Sequence, residues 1–84
     1  MSMTVPEAIR EARPQVEHLD RVRWHMETAA IAYRAALLLG ASRGITGHRL
    51  ESFATAIGVH VEDHGVEMQQ ALEAGRRWLD DPER

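Results

Sequence analysis

Apolar residues recur at steps of three and four along two long stretches of the chain, which is the spacing of an amphipathic helix. In the stretch 15–40 the recurring positions are Leu19, Val22, Met26, Ala29, Tyr33 and Ala36. In the stretch 46–81 they are Leu50, Ala54, Ile57, Val61, His64, Met68, Ala71, Gly75 and Trp78. Alternating steps of this kind form a heptad seam. The pattern therefore predicts two long helices over 15–40 and 46–81.

The segment between these helices has the composition of a tight turn. Gly40 is a candidate C-cap for the first helix, Gly44 follows it, and Thr46 is a candidate N-cap for the next helix. A connection this short joins helices that run antiparallel. We predict a long helical hairpin, and leave open whether its second helix breaks near Gly58.

A short helix should precede the hairpin. Thr4 and Glu7 have the spacing of a capping box, and Pro6 lies in the first turn, where its missing N–H costs little. Pro14 disfavours helical geometry at the residue before it, which ends this helix at about residue 13. The predicted fold is all-α, with a helix over 5–13 and the hairpin in one domain, 1–84.

The first long helix has a second apolar face, formed by Trp24, Ile31 and Leu38 opposite its seam. A helix that is apolar on two sides needs two partners. The sequence therefore predicts a homodimer that forms a four-helix bundle through this face. Tyr33 and Trp78 lie on the seams, so we expect them in the core.

Composition limits the classes of function. Hydrophobic residues make up 44% and charged residues 27% of the 84 residues, as in an ordinary globular domain. The net charge is −3 and Lys is absent, so no electrostatic signature of nucleic-acid binding is present. Cysteine is absent, which excludes disulfides and thiolate metal sites. No apolar stretch has the length of a signal peptide or a membrane span, so we expect a cytoplasmic protein without a membrane partner. Abundant Arg, Ala and Gly suggest a bacterial or phage source.

Three histidines and a glutamate suggest a metal site. His60, His64 and Glu67 share one face of the predicted second helix, and the hairpin register sets His25 level with them. Imidazole and carboxylate ligands suit a divalent transition metal, and a helical bundle can hold one. The alternative is that these residues are spacers beside the seam, and that a buried His64 fixes the register of the helices.

The segment 54–67 resembles the first part of a helix-turn-helix, because the small residues Ala54 and Gly58 would allow two helices to cross closely. A DNA-binding regulator is the third hypothesis. Its recognition segment, 60–67, has three carboxylates and no arginine, so phosphates would repel it.

The sequence favours a non-enzymatic protein over an enzyme, because it has neither a nucleophile elbow nor a phosphate-binding glycine loop. Our leading hypothesis is a protein–protein interaction module without a cofactor, which binds a second copy or another protein. Aromatic and arginine side chains commonly anchor such contacts. The predicted partner-binding residues are Trp24, Ile31, Leu38 and Arg34.

Overall fold

The computed structural model describes residues 2–82, which form five α-helices and one 3₁₀ turn. The helices are α1 (Val5–Ala12), α2 (His18–Arg23), α3 (Glu27–Ser42), α4 (Gly47–Glu62) and α5 (Met68–Asp80), and the 3₁₀ turn (Arg13–Gln15) follows α1. No strand occurs in this part of the chain. The all-α class and the hairpin, formed by α3 and α4, are confirmed.

The first helix follows its sequence signals. The Thr4 hydroxyl accepts a hydrogen bond from the Glu7 backbone N–H, and the Glu7 carboxylate accepts one from the Thr4 N–H, which completes the capping box. Pro6 lies in the first turn. The helix ends at Ala12, and Pro14 lies in the 3₁₀ turn.

The predicted helix over 15–40 is divided into α2 and α3. Trp24 and Met26 have extended backbones (φ −110°, ψ 121° and φ −97°, ψ 133°), and the Met26 N–H donates to the Glu62 carboxylate of α4. The break lets the Trp24 indole reach Gly58. It also removes Leu19, Val22 and Met26 from the seam. Their predicted burial is wrong, because all three are exposed.

Helix α3 is the centre of the fold and packs against α1, α2, α4 and α5. Nine of its residues are buried, and five of these are alanines. Its second apolar face is largely covered within the chain, since Ile31 is buried, Leu38 is half-buried and Trp24 lies against Gly58 of α4. The packing reason for a four-helix bundle through this face is lost, and the oligomeric state stays a prediction.

The turn between α3 and α4 is a Schellman motif. The Ile45 N–H donates to the Gly40 carbonyl and the Gly44 N–H to the Ala41 carbonyl, both at 3.0 Å. Gly44 has the left-handed backbone that this motif requires (φ +84°). The predicted helix end at Gly40 is therefore two residues early, since α3 continues to Ser42.

The predicted helix over 46–81 is also divided, although not at Gly58. Helix α4 continues through Gly58 to Glu62, and the chain then turns at Gly65, which has a positive φ of +68°. The Glu67 carboxylate caps α5 by accepting from the N–H groups of Gln69 and Gln70. This turn folds α5 back along α4.

None of the helices in residues 2–82 has the length and apolar character needed to cross a membrane.

Candidate binding groove between α4 and α5

An open groove of about 750 Å³ runs between α4 and α5. Its lining is mainly apolar. Helix α4 contributes Phe53, Ala56 and Ile57, the following turn contributes Val66, and α5 contributes Ala71, Ala74, Gly75 and Trp78. We call this surface the α4–α5 groove.

The sizes of the side chains explain its shape. Gly75 allows α5 to lie close to α4, because a Cβ at this position would stand 2.9 Å from the Ile57 Cδ1 atom. Ala56 and Ala74 are exposed and too small to fill the space above this contact. The depression between the two helices therefore stays open to solvent.

Stacked aromatic rings form one end of the groove. The ring centroids of Phe53 and Trp78 are 5.8 Å apart, and the ring planes differ by 15°. Trp78 remains 48% exposed, so its predicted place in the core is wrong. A large apolar side chain left in solvent beside a groove is typical of a binding surface.

The polar lining of the groove carries no negative charge. It consists of His48, Arg49, Ser52, His60 and Gln70. Arg49 forms no salt bridge with any residue of 2–82. In a chain with a net charge of −3, this cation at the edge of an apolar groove favours a ligand that carries carboxylates.

The residues of the predicted metal site are not arranged as a metal centre. His60 and His64 are exposed and adjacent, with ring centroids 5.8 Å apart. His25 is exposed in the break between α2 and α3, and the Glu67 carboxylate is engaged in capping α5. Within 2–82, no three His, Asp or Glu residues lie close enough to hold a metal ion.

The predicted partner-binding residues lie mostly inside the molecule. Trp24 and Ile31 are buried and Leu38 is half-buried. Arg34 donates from Nε to the Asp20 carboxylate at 2.7 Å. These side chains do not form the exposed apolar stripe that the sequence predicted.

Buried Asp20 fixes the start of α2. It accepts hydrogen bonds from Arg34 and from the Glu17 backbone N–H. Burial alone would raise its pKa, but these hydrogen bonds outweigh burial, and the pKa is lowered. Its ion pair with Arg34 therefore holds α2 against α3.

A second polar cluster joins α2 to α4 across α3. Glu51 accepts from the Tyr33 hydroxyl at 2.7 Å and from Arg23 at 3.0 Å, and Arg23 also donates to Thr55. The hydrogen bond from Tyr33, followed by that from Arg23, lowers the pKa of Glu51. Burial and the Glu51 carboxylate raise the pKa of Tyr33. All four side chains of the cluster have hydrogen-bond partners, so the cluster links α2, α3 and α4.

The segment 54–67 does not contain a helix-turn-helix with its turn at Gly58. Gly58 lies inside α4, and the Trp24 ring occupies the space beside it. Helix α4 covers residues 54–62, and residues 63–67 form the turn before α5, so the predicted recognition segment 60–67 does not form a second helix.

The groove itself was not predicted from the sequence. Two signals could have identified it. Gly65 marks the turn that folds α5 back, and the Phe53 and Trp78 positions become level once that turn is placed. Comparison of the chain with protein family models, curated proteins and solved structures finds no match.

Proposed function

We propose that this chain is a small helical protein–protein interaction module, and that its α4–α5 groove receives the apolar face of a partner helix. One observation carries the proposal: an apolar groove of about 750 Å³ is open to solvent beside the half-exposed Trp78. Helix-in-groove binding uses apolar side chains at positions i, i+3 or i+4, and i+7. Trp and Arg, present here as Trp78 and Arg49, are the commonest anchors of such contacts.

The length of the groove supports a helical partner. Its α4 edge runs from His48 to His60, which are 12 residues apart. At about 1.5 Å per residue this edge is roughly 18 Å long, equal to about three turns of a partner helix. Three turns suffice to present an i, i+4, i+7 set of side chains.

A model peptide tests the proposal. The probe is a synthetic amphipathic helix with leucines at i, i+4 and i+7 and glutamates on its flanks, titrated into ¹⁵N-labelled protein. We expect saturable shifts of amide signals from residues that line the groove. Ala74→Glu, which adds a carboxylate inside the groove, should weaken binding about tenfold or more, equivalent to about 1.4 kcal/mol.

Ala41→Glu is the matched control, because Ala41 is an exposed helical alanine outside the groove. It should leave the affinity unchanged. Equal affinity of the Ala74→Glu and Ala41→Glu proteins would contradict the proposal, as would the absence of any saturable shift with both this peptide and a lysine-flanked version.

A further inference from the structure

Three large apolar side chains outside the groove are also exposed. Leu19, Val22 and Met26 are 74%, 63% and 43% exposed, and they follow one another along α2 and its C-terminal extension. We call this surface the α2 patch. In the described part of the chain, the other large exposed hydrophobic residue is Trp78 of the groove. The molecule therefore has one projecting and one recessed apolar surface.

The C-terminal end of the α2 patch is tied to one flank of α4. Arg23 donates to Glu51 and Thr55 of α4, and the Met26 N–H donates to Glu62. Leu19 precedes Arg23 by one helical turn and so lies on the same side of α2. The C-terminal end of the α2 patch, at Met26, is thus level with the part of α4 between residues 51 and 62.

The groove lies along the other flank of α4 at the same level. Along α4 it extends from His48 to His60. Between the α2 patch and the groove, α4 presents a narrow outer strip that includes half-buried Val59 and, at the edge of the groove, exposed Ser52. These side chains are small enough for another helix to approach closely.

This arrangement suits a two-fold dimer. The two-fold axis runs parallel to α4, just outside its outer strip. Rotation about it brings the patch side of each copy opposite the groove side of the other, and each residue keeps its height along α4. The α2 patch of each copy then faces the groove of the other, so each contact is made twice, as in an isologous interface. Exposed Glu17 at the start of α2 also carries a carboxylate of the sign that suits Arg49, which forms no salt bridge within residues 2–82.

We infer that a second copy of this chain is the occupant of the groove, and that the two copies exchange their α2 patches reciprocally. The inference rests on the proposed function, since it names the partner that the groove binds. The dimer differs from the predicted bundle because its contacts come from α2, α4 and α5, while α3 remains inside each subunit.

Sedimentation equilibrium of the untagged full chain tests the inference. We expect a dimer, and expect Leu19→Glu and Ala74→Glu each to raise its dissociation constant by about 100-fold or more, because a carboxylate is placed in an apolar contact. Both positions are exposed in the monomer, so far-ultraviolet circular dichroism should be unchanged. Ala41→Glu should remain dimeric.

Mixing the two variants tests reciprocity. In a dimer of one Leu19→Glu and one Ala74→Glu chain, one contact carries both glutamates and the other is entirely native. The mixture should therefore associate more strongly than either variant alone. If the Ala74→Glu protein stayed fully dimeric while Leu19→Glu did not, the dimer would be formed by contact between the two α2 patches. If the Leu19→Glu protein stayed fully dimeric while Ala74→Glu did not, it would be formed by contact between the two grooves. Either result would overturn the reciprocal arrangement.

The peptide titration separates this inference from the proposed function. A wild-type monomer that still binds the model peptide in its groove would overturn the second copy as occupant and leave the proposed function intact. A monomer that binds no peptide would overturn both. If the wild type is a dimer, the titration should be made on Leu19→Glu, whose groove is native and free.

Discussion

The indole ring of Trp24 lies directly on the backbone of Gly58. A methyl group at Gly58 would stand 2.5 Å from the Cη2 atom of this ring, far inside van der Waals contact. The two residues are 34 positions apart in the sequence. Their contact fixes where the chain leaves α2 and enters α3, since the ring reaches α4 only because Trp24 and its neighbours are extended.

Gly58→Ala should destabilise the protein. Alanine favours the interior of a helix by about 1 kcal/mol over glycine. Overpacking against a rigid buried ring costs about 1–3 kcal/mol and should outweigh this gain. We expect a net loss of about 1 kcal/mol in the free energy of unfolding, measured by urea denaturation.

Trp24→Phe should remove that penalty, because phenylalanine lacks the ring atoms nearest to Gly58. In the Trp24→Phe background, Gly58→Ala should be neutral or stabilising, and a double-mutant cycle would measure the coupling. The Trp24 Nε1–H is buried without a hydrogen-bond partner among residues 2–82. Its removal in Trp24→Phe therefore breaks no hydrogen bond, and the loss of stability is smaller. Additive effects of the two substitutions would contradict the proposed steric cause.

Gly65→Ala should lower stability by about 1–2 kcal/mol, because an L-residue with a side chain is disfavoured at its φ of +68°. Nothing lies within 4 Å of a Cβ placed there, so the effect is one of backbone conformation alone. Gly65→Asn is the matched control, since asparagine tolerates the left-handed region better. Thermal unfolding should rank Gly above Asn and Asn above Ala.

Asp20→Asn should cost about 2 kcal/mol, because it leaves half-buried Arg34 without its carboxylate partner. The loss should be concentrated in α2. Hydrogen exchange should accelerate at the amides of Arg21 and Trp24, whose hydrogen bonds belong to that helix. Asp63→Asn, on an exposed acid without a salt bridge in the described residues, is the control and should change little.

Titration of Glu51 should make the free energy of unfolding depend on pH in the acidic range. Its pKa in the folded chain is lowered below the ordinary value of 4.5, so the unfolded chain binds a proton first as the pH falls. The stability that Glu51 supplies is complete above pH 4.5 and is lost as the pH falls through the lower pKa of the folded state.

Glu51→Gln is the variant that tests this dependence. At neutral pH it should be less stable by about 0.5–1 kcal/mol, a value reduced by solvent screening of the half-exposed side chain. Urea denaturation over a pH series should show the two proteins converging in acid. A constant difference at every pH would exclude the titration of Glu51 as its cause.

Local signals predicted part of the fold well. Thr4, Glu7 and Pro6 mark the start of α1 in the sequence, and the structure forms the capping box that their spacing predicts. The turn at 40–46 was also found, although Gly44 and not Gly40 takes the left-handed conformation. These features depend on residues within one or two turns of each other, so sequence spacing alone is informative.

Features that depend on distant contacts were missed. The break at Trp24 has no glycine or proline beside it, and it arises because the ring packs on Gly58 and Glu62 accepts from the Met26 N–H. The heptad spacing of apolar residues continues across the break, so the sequence pattern predicts that Leu19 and Val22 lie in the core. The groove was missed for a related reason, since its two walls become neighbours only after the turn at Gly65.

The alanines of α3 limit how this chain can change over evolution. Ala29, Ala30, Ala32, Ala35 and Ala36 are all fully buried between the surrounding helices, so a larger residue at any of them would push a neighbour away. Sequence drift must then accumulate on the outer helices, where the patch and the groove lie. A scan of all single substitutions should find that α3 tolerates few changes and that the outer helices tolerate many. New binding specificities can therefore arise on the outer helices without loss of the fold.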